Sequence, residues 1–284
     1  MRDAALQSIA VGFFDGVHLG HQAILKGADA ALTFRNHPLT VLAPEKAPRL
    51  IMTPEERVAA IRACGVKDVT VLEFTQELAE MSAEEFVGCL SKRRGRRFSI
   101  VRCGANWRFG KGGTGDAEFL RGHGLDVEVS PYVEYNGEPI SSSRIRRCLE
   151  NGEIEAANAM MGRRFRVSGF KFQGKGLGGR IGYPTENLKL EALNLKLPLG
   201  VYEVEAEGRK AIANYGLAPT MGDKAWERPI LEIHLLGEGE EDVRHETEDA
   251  VSVTFVRYIR PEKKFDSIED LKRQIAADCA SITA

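Results

Sequence analysis

The pattern of the sequence changes at Gly162. Before this residue, short apolar runs such as Ser8–Phe14 and Ala30–Phe34 alternate with stretches of helical periodicity. This alternation predicts a doubly wound α/β domain. After Gly162, short strands with alternating apolar residues follow one another without helices between them, until Ser267 begins a last helix. The second pattern predicts a small antiparallel β-barrel domain with a C-terminal helix.

The length of 284 residues agrees with two domains, which we place at residues 1–157 and 158–284. A net charge of −2 gives no reason to expect a nucleic-acid partner. No apolar run reaches the ~20 residues of a membrane helix, and the N-terminus lacks a signal-peptide core. The five cysteines form no CxxC pair, which argues against a zinc site or a disulfide framework. We therefore predict a cytoplasmic protein without a membrane partner.

A candidate nucleotide site follows the first predicted strand. Asp15-Gly16 ends that strand, and a predicted helix opens at Val17 with His18 and His21 in its first turn. Residues three apart share a helix face, and a helix N-terminus attracts phosphate groups. The two imidazoles could therefore bind nucleotide phosphates, or they could be two surface histidines in a loop.

Further polar residues follow other predicted strands. In doubly wound domains ligands bind beyond the carboxyl ends of the strands. His37 and the loop that contains Asn106 and Arg108 fall at that edge, together with the histidine turn. Downstream, Ser142 and Arg144 stand at the start of a predicted helix, where free N–H groups and a guanidinium could bind an anion. A capped helix with solvated arginines would give the same pattern.

The segment Gly174–Asn187 has five glycines in fourteen residues, and glycines let a backbone approach a bulky ligand closely. Lys175 adds positive charge, and Thr185 and Asn187 offer oxygen atoms to a metal ion or a phosphate. The segment could cradle a triphosphate with its magnesium, although it lacks the Gly-Lys-Ser/Thr of a P-loop. The alternative is a flexible glycine loop between strands.

These motifs together resemble the bacterial bifunctional riboflavin kinase/FAD synthetase family over nearly the whole chain. The first half carries Gly12-Phe-Phe-Asp-Gly-Val-His-Leu-Gly-His, Thr33-Phe-Arg-Asn-His-Pro, Gly104-Ala-Asn-Trp-Arg-Phe-Gly and Ile140-Ser-Ser-Ser-Arg-Ile-Arg. The second half carries Gly182-Tyr-Pro-Thr-Glu-Asn, Asn214-Tyr-Gly-Leu-Ala-Pro-Thr, Leu231-Glu-Ile-His-Leu-Leu and Ile259-Arg-Pro-Glu-Lys-Lys-Phe. A lone His-x-Gly-His is shared with many adenylyltransferases, whereas the ordered set is far more specific.

The resemblance implies a nucleotidyltransferase-like first domain that adenylylates FMN to FAD, and a second domain that phosphorylates riboflavin to FMN. Both reactions would use ATP as co-substrate and Mg²⁺. Glu232 would be the kinase base, and His18 and His21 would hold the ATP phosphates during adenylyl transfer. ATP and phosphate binding would involve Gly12, Phe14, Asp15, Gly20, Ser142, Arg144, Gly174, Lys175, Gly176, Thr185 and Asn187. Flavin binding would involve His37, Asn106 and Arg108. Metal binding would involve Thr185 and Asn187.

The chain departs from the family pattern at several points. The first helix is short, and Asn36 stands where the family favours proline. Glu186 replaces the usual alanine, and we expect its carboxylate to point away from the phosphates, which it would repel. Residues 237–245 replace an Asp-Phe-Asp and Tyr-Gly pattern that borders the flavin in the family. Two alternatives stay open: a monofunctional FMN adenylyltransferase with a degenerate kinase domain, and a non-catalytic flavin- or nucleotide-binding regulator.

Overall fold

The computed structural model describes residues 7–93, 96–172, 179, 181–190, 197–217, 229–237 and 251–283. The chain divides into two compact units, Met1–Arg144 and Ile145–Ala284. The domain boundary predicted between residues 157 and 158 falls within the helix Ile154–Met161 of the second unit. Within the described part of the chain, no helix combines the length and the apolarity needed to cross a membrane.

The first unit is built on a mainly parallel sheet. Its strands are β1 (Gln7–Val11), β2 (Ala30–Phe34), β3 (Asp68–Leu72), β4 (Lys92–Arg93), β5 (Arg96–Gly104) and β6 (Asp126–Ser130). The parallel order is β3-β2-β1-β5-β6, and the short β4 pairs antiparallel with β5. A separate hairpin joins β7 (Glu134–Tyr135) to β8 (Glu138–Pro139). The parallel strands all end at one edge of the sheet, where the predicted ligand residues follow them.

Helices connect these strands. They are α1 (Leu19–Leu25), α2 (Leu39–Leu42), α3 (Pro54–Ala63), α4 (Gln76–Glu80), α5 (Ala83–Ser91) and α6 (Ala117–Gly122). Helix α7 (Ser142–Asn151) begins in the first unit and continues into the second. Helix α1 begins at Leu19 rather than at Val17, because Asp15–Val17 forms a separate 3₁₀ turn. A capping box of Thr53 and Glu56 opens α3, with both reciprocal hydrogen bonds present.

Helices cover both faces of the sheet. Ile9 and Val11 of β1 pack in a core with Phe86 of α5, whereas the intervening Ala10 packs with Ile61 of α3 on the other side. Alternate residues of a strand point to opposite faces, so the sheet is buried between two layers. The doubly wound α/β prediction is confirmed.

The second unit is a closed antiparallel barrel. Its strands are β9 (Phe165–Phe172), β10 (Glu186–Leu190), β11 (Gly200–Ala206), β12 (Arg209–Gly216), β13 (Ile230–Leu235) and β14 (Val251–Pro261), in the order β10-β13-β12-β11-β14-β9. Helix α8 (Ile154–Met161) precedes the barrel and α9 (Ile268–Thr283) follows it. The predicted barrel and C-terminal helix are confirmed, and β10 occupies the end of the predicted glycine loop.

Strand alternation separates the barrel's core from its outer face. Leu188, Leu231 and Ile233 are buried inside, and the residues beside them on the same strands point outward. Helix α9 packs on the outer face, where Ile282 contacts Val201 and Ile212. A buried ion pair also holds the helix, since Arg260 Nη2 lies 2.7 Å from an Asp278 carboxylate oxygen. The helix therefore covers part of the face that carries Glu232.

Candidate active sites

The turn after β1 has a strained backbone. Phe14 and Val17 adopt positive φ angles of 58° and 37°, which residues other than glycine rarely do. The Thr33 hydroxyl donates to the Phe13 carbonyl at 2.8 Å and so fastens the turn to β2. Strain of this kind persists only where surrounding contacts enforce it, and it concentrates at functional sites.

His18 and His21 form a stacked pair at the start of α1. Their ring centroids lie 3.6 Å apart with an interplanar angle of 17°. His18 is the N-cap of the helix, and its Nδ1 accepts from the His21 backbone N–H at 3.3 Å. The Phe14 ring meets the His21 ring edge-on at 5.3 Å. Both predicted phosphate-binding imidazoles thus share one fixed location beside a helix N-terminus.

Two predicted phosphate-binding glycines make room for these aromatic rings. A Cβ atom at Gly20 would come 3.2 Å from the His18 ring, and one at Gly12 would come 2.9 Å from the Phe14 ring. Both distances are at or below the closest normal contact of a side-chain carbon. A side chain at Gly12 would therefore force the Phe14 ring to shift, and one at Gly20 would crowd the His18 ring, whether or not a phosphate binds there.

Asp15 and Ser142 connect the histidine turn to the start of α7. The Asp15 carboxylate is buried and accepts from the Ile51 backbone N–H at 3.1 and 3.2 Å. The Asp15 carbonyl accepts from the Ser142 hydroxyl at 2.8 Å. The structure thus places Ser142 next to the turn, as an anion site would require, while the Asp15 carboxylate is engaged with backbone.

Arg144 is held by the β7–β8 hairpin. Its Nη1 donates to the Glu138 carbonyl at 2.8 Å, its Nε lies 3.4 Å from a Glu138 carboxylate oxygen, and its guanidinium lies 5.6 Å from the Tyr135 ring centroid. These contacts fix a guanidinium one turn into α7. An incoming phosphate would compete with Glu138 for it.

The predicted flavin residues follow β2 and β5. The His37 Nδ1 accepts from the Leu39 N–H at 3.1 Å, and the ring stands edge-to-face with Phe13 at 4.7 Å. Asn106 and Arg108 are exposed, and Arg108 lies 3.8 Å from the Asp116 carboxylate. Both groups occupy the C-terminal edge of the sheet, the edge at which ligands bind in this architecture.

The candidate kinase residues form a row across three strands of the barrel. Glu232 on β13 is directly opposite Asn187 on β10 and Asn214 on β12. Residues opposite one another in antiparallel pairs share a face, so the carboxyl group lies between two amides. Burial, followed by the negative charge of Glu262, raises the pKa of Glu232. A raised pKa suits a carboxylate that has to accept a proton.

Glu262, just after β14, belongs to the same surface. A Cβ atom at Gly216 would collide with the Glu262 carboxylate and would lie 3.1 Å from Asn214 Nδ2. Gly216 therefore leaves the space in which this carboxylate approaches Asn214. The sequence reasoning gave no role to Asn214 or Glu262, because strand parity can be read from a sequence but the register between strands cannot.

His234 and Thr185 lie at the entrance to β10. His234 Nδ1 is 2.8 Å from the Pro184 carbonyl oxygen and donates to it, since a carbonyl can only accept. Tyr183 contacts the His234 ring edge-on at 5.4 Å. Thr185 follows directly and is exposed. His234 thus fixes the backbone immediately before the predicted metal-binding hydroxyl.

Glu186 points to the other face. It is opposite Ile233 and its carboxylate accepts from Lys171 Nζ at 2.9 Å, while Glu207 accepts from the same ammonium at 2.7 Å. The Glu186 carboxylate therefore lies on the face opposite Asn187 and is neutralised, as the expected orientation away from the phosphates requires. Gly174, Lys175, Gly176 and residues 238–245 lie outside the described residues.

Two family models match the chain in succession: FAD synthetase over residues 2–144 and riboflavin kinase over residues 161–284. The Bacillus subtilis bifunctional riboflavin kinase/FMN adenylyltransferase is 31% identical over 296 residues, covering 97% of this chain and 91% of its own length. The chain belongs to the bifunctional riboflavin kinase/FMN adenylyltransferase family. The predicted family and its two transferase activities are thereby confirmed.

Other relatives agree. The enzymes of the same description from Escherichia coli K12 and Pseudomonas fluorescens are 31% and 33% identical, each covering at least 95% of this chain and 90% of the relative. A Streptococcus pneumoniae crystal structure described as a macrolide-efflux protein is 28% identical and has a TM-score of 0.84, covering 99% of this chain and 95% of its own. That structure supports the fold, whereas the activity follows from the family models and the named enzymes.

Proposed function

We propose that adenylyl transfer from ATP to FMN occurs at the histidine turn of the first unit. The observation that supports this proposal most directly is the stacked His18–His21 pair at the N-terminus of α1. Because His18 Nδ1 accepts a hydrogen bond, a neutral His18 carries its proton on Nε2, where it can donate to a phosphate oxygen. The helix N-terminus and the imidazoles would together offset charge that develops on the ATP phosphates.

Two further groups complete this proposed site. Ser142 and Arg144 at the start of α7 would bind the departing pyrophosphate, for which a forked guanidinium is well suited. His37, Asn106 and Arg108 would bind FMN. The FMN phosphate would attack the α-phosphorus of ATP in line, so that one P–O bond forms while the bond to pyrophosphate breaks. No covalent enzyme intermediate is needed, and catalysis consists of positioning and charge neutralisation.

In the second unit we propose that Glu232 is the general base of riboflavin phosphorylation. The ribityl 5′-hydroxyl would attack the γ-phosphorus of ATP while its proton passes to the Glu232 carboxylate and ADP leaves. The row formed with Asn187 and Asn214 supports this role, since the two amides can hold the carboxylate and the substrate oxygens in register. The raised pKa of Glu232 makes it a stronger proton acceptor than an exposed carboxylate.

Thr185 and Asn187 would hold Mg²⁺ together with the ATP phosphates. A hydroxyl and an amide oxygen are hard donors of the kind that Mg²⁺ prefers, and Mg²⁺ commonly takes its remaining ligands from phosphate and water. Among the described residues, no group of three or more His, Cys, Asp or Glu side chains could hold a metal ion. The bound ion would neutralise the transferring phosphoryl group. Riboflavin, FMN and ATP are thus the proposed small-molecule partners, and a cytoplasmic location stays a prediction.

One experiment tests both halves. Purified protein is incubated with riboflavin, ATP and Mg²⁺, and riboflavin, FMN and FAD are separated by chromatography. FMN followed by FAD is the expected outcome. A second incubation supplies FMN in place of riboflavin. FAD formed only in this second incubation would favour the monofunctional alternative, and no product in either incubation would favour the non-catalytic one.

A further inference from the structure

Arg57 of α3 is a fully buried cation with 0% of its surface exposed. Its Nη2 donates to the carbonyl oxygen of Phe34 and, at 3.1 Å, to that of Arg35. Its Nε and Nη1 are buried without an acceptor among the residues that the structure describes. Burial lowers the pKa of Arg57, and the carboxylates of Asp15 and Glu55 oppose this effect. A guanidinium nevertheless stays charged in proteins, so the core contains a positive charge here.

The guanidinium also stacks on an aromatic ring. Its central carbon lies 4.2 Å from the centroid of Phe13, within cation–π distance. The same ring makes the edge-to-face contact with His37 described above. A continuous series of contacts therefore runs from Arg57 through Phe13 to His37, at the edge of the sheet.

The backbone that carries His37 is held from a second side. Phe34 and Arg35, whose carbonyls Arg57 binds, lie just before Asn36 and His37. The Asn36 amide donates to the Phe74 carbonyl at 2.9 Å and accepts from the Phe74 N–H at 2.8 Å. The end of β2 is thus fastened to the end of β3 on one side and to Arg57 on the other.

Filling the core is a poor explanation for this arrangement. Taking a charge out of water is costly, and replacing a buried charge by an apolar side chain of similar volume is often neutral or stabilising. What the guanidinium supplies, and an apolar group cannot, is one N–H donor group, Nη2, that binds two carbonyls while the planar face packs on a ring. These three contacts fix the two segments that flank the proposed FMN site.

We propose that Arg57 is a positioning residue of the adenylyltransferase site, which fixes the Phe13–His37 pair against which FMN binds. The inference rests on the proposed role of His37 in FMN binding. Arg57 is buried and does not touch FMN itself. Its loss should therefore weaken FMN binding much more than ATP binding, because the histidine turn has its own anchors in Thr33 and Ile51.

The test compares Arg57→Met, Arg57→Lys and the matched control Arg35→Met in the full-length protein. Methionine keeps much of the length without charge, and lysine keeps the charge and the N–H donors but has no planar face to stack on Phe13. Arg35 is exposed and paired with Glu55 at 3.4 Å. In the adenylyltransferase assay we expect the KM for FMN to rise about tenfold in Arg57→Met and less in Arg57→Lys. In the Arg57 variants the KM for ATP should stay within about twofold of the value for the unmutated protein, and the rate of riboflavin phosphorylation should be unchanged. The control Arg35→Met should keep the KM for FMN of the unmutated protein.

Two further variants keep the result decisive. Phe13→Leu interrupts the contact series without removing the buried charge, so it should raise the KM for FMN even if both Arg57 variants fail to fold. His37→Gln tests the underlying assignment: an unchanged KM for FMN there would refute the proposed FMN role of His37, and the inference with it. His37→Gln could raise the KM for FMN while the folded Arg57 variants, or Phe13→Leu, leave it unchanged. That result would overturn the positioning role of Arg57 and leave the proposed FMN role of His37 in place. Equal rises in the KM for FMN and for ATP would make Arg57 purely structural and would also overturn it.

Discussion

Replacing Glu232 with glutamine is the sharpest test of the kinase site. The side chain shares a face with Asn187 and Asn214 on the neighbouring strands, and glutamine has the same size there and keeps one acceptor oxygen. What the variant loses is the ability to accept the ribityl proton. Substrate binding should therefore be retained while the chemical step slows.

The structure indicates the magnitude. A positioned general base contributes ~10²–10⁴-fold to a rate, which corresponds to about 2.7–5.5 kcal/mol of transition-state stabilisation. Burial and the charge of Glu262 raise the pKa of Glu232 toward the pH at which the enzyme works, and a base so tuned is more effective. We therefore expect Glu232→Gln to lower the kcat for riboflavin phosphorylation by ~10²–10⁴-fold.

The assay follows FMN formation from riboflavin at saturating ATP and Mg²⁺, with FAD formation from supplied FMN as the internal control. Glu262→Gln is the matched variant on the same surface. Because the Glu262 charge raises the pKa of Glu232, its removal should lower that pKa and move the acidic limb of the kcat–pH profile to lower pH. A Glu232→Gln enzyme with normal kcat would show that Glu232 is an ordinary outer-face carboxylate. A limb that moves to higher pH in Glu262→Gln would refute the assigned electrostatics.

Three further changes should give distinct results. His21→Ala should abolish most FAD formation from FMN and leave riboflavin phosphorylation intact, because the stacked pair lies in the first unit; equal loss of both activities in folded protein would contradict this. Thr185→Ala should raise the Mg²⁺ concentration needed for half-maximal kinase activity, since an oxygen ligand is lost, and an unchanged Mg²⁺ titration would remove Thr185 from the site. Lys171→Met should lower the free energy of unfolding of the barrel by about 1–3 kcal/mol in a denaturant titration, because it leaves the Glu186 and Glu207 carboxylates unpaired. The double variant Lys171→Met, Glu186→Ala should recover part of this lost stability.

Most of the fold could be predicted because alternation and helical periodicity are local signals. They identified β2 with its observed bounds, and they placed β1 at the run that begins at Ser8. In the longer strand β14, bulges in the pairing with β11 break the alternation that sequence reasoning follows. Strand β10 was missed because it directly follows a glycine-rich segment and has only two apolar residues, Leu188 and Leu190.

The candidate sites were predictable only where a motif carried them. His18 and His21 could be paired from their spacing, since three residues make one helical turn. The approach of Glu262 to Asn214 depends on barrel register, which no local pattern encodes. The burial of Arg57 could not be read from the sequence, because a charged residue on a helix is usually exposed. Only its tertiary contacts show that it is buried.

Glu186, which stands where the family usually has alanine, shows that the effect of a substitution in a motif depends on the strand that carries it. Read as a string, a glutamate between Thr185 and Asn187 would repel the phosphates that these residues are proposed to bind. In a strand, however, successive side chains point to opposite faces, so Glu186 is directed away from Asn187. There Lys171 neutralises it, and this ammonium can do so only because β9 pairs with β10. The substitution therefore adds an ion pair to the opposite face of the barrel and leaves the row of Asn187, Glu232 and Asn214 intact, so it gives no argument against the kinase half.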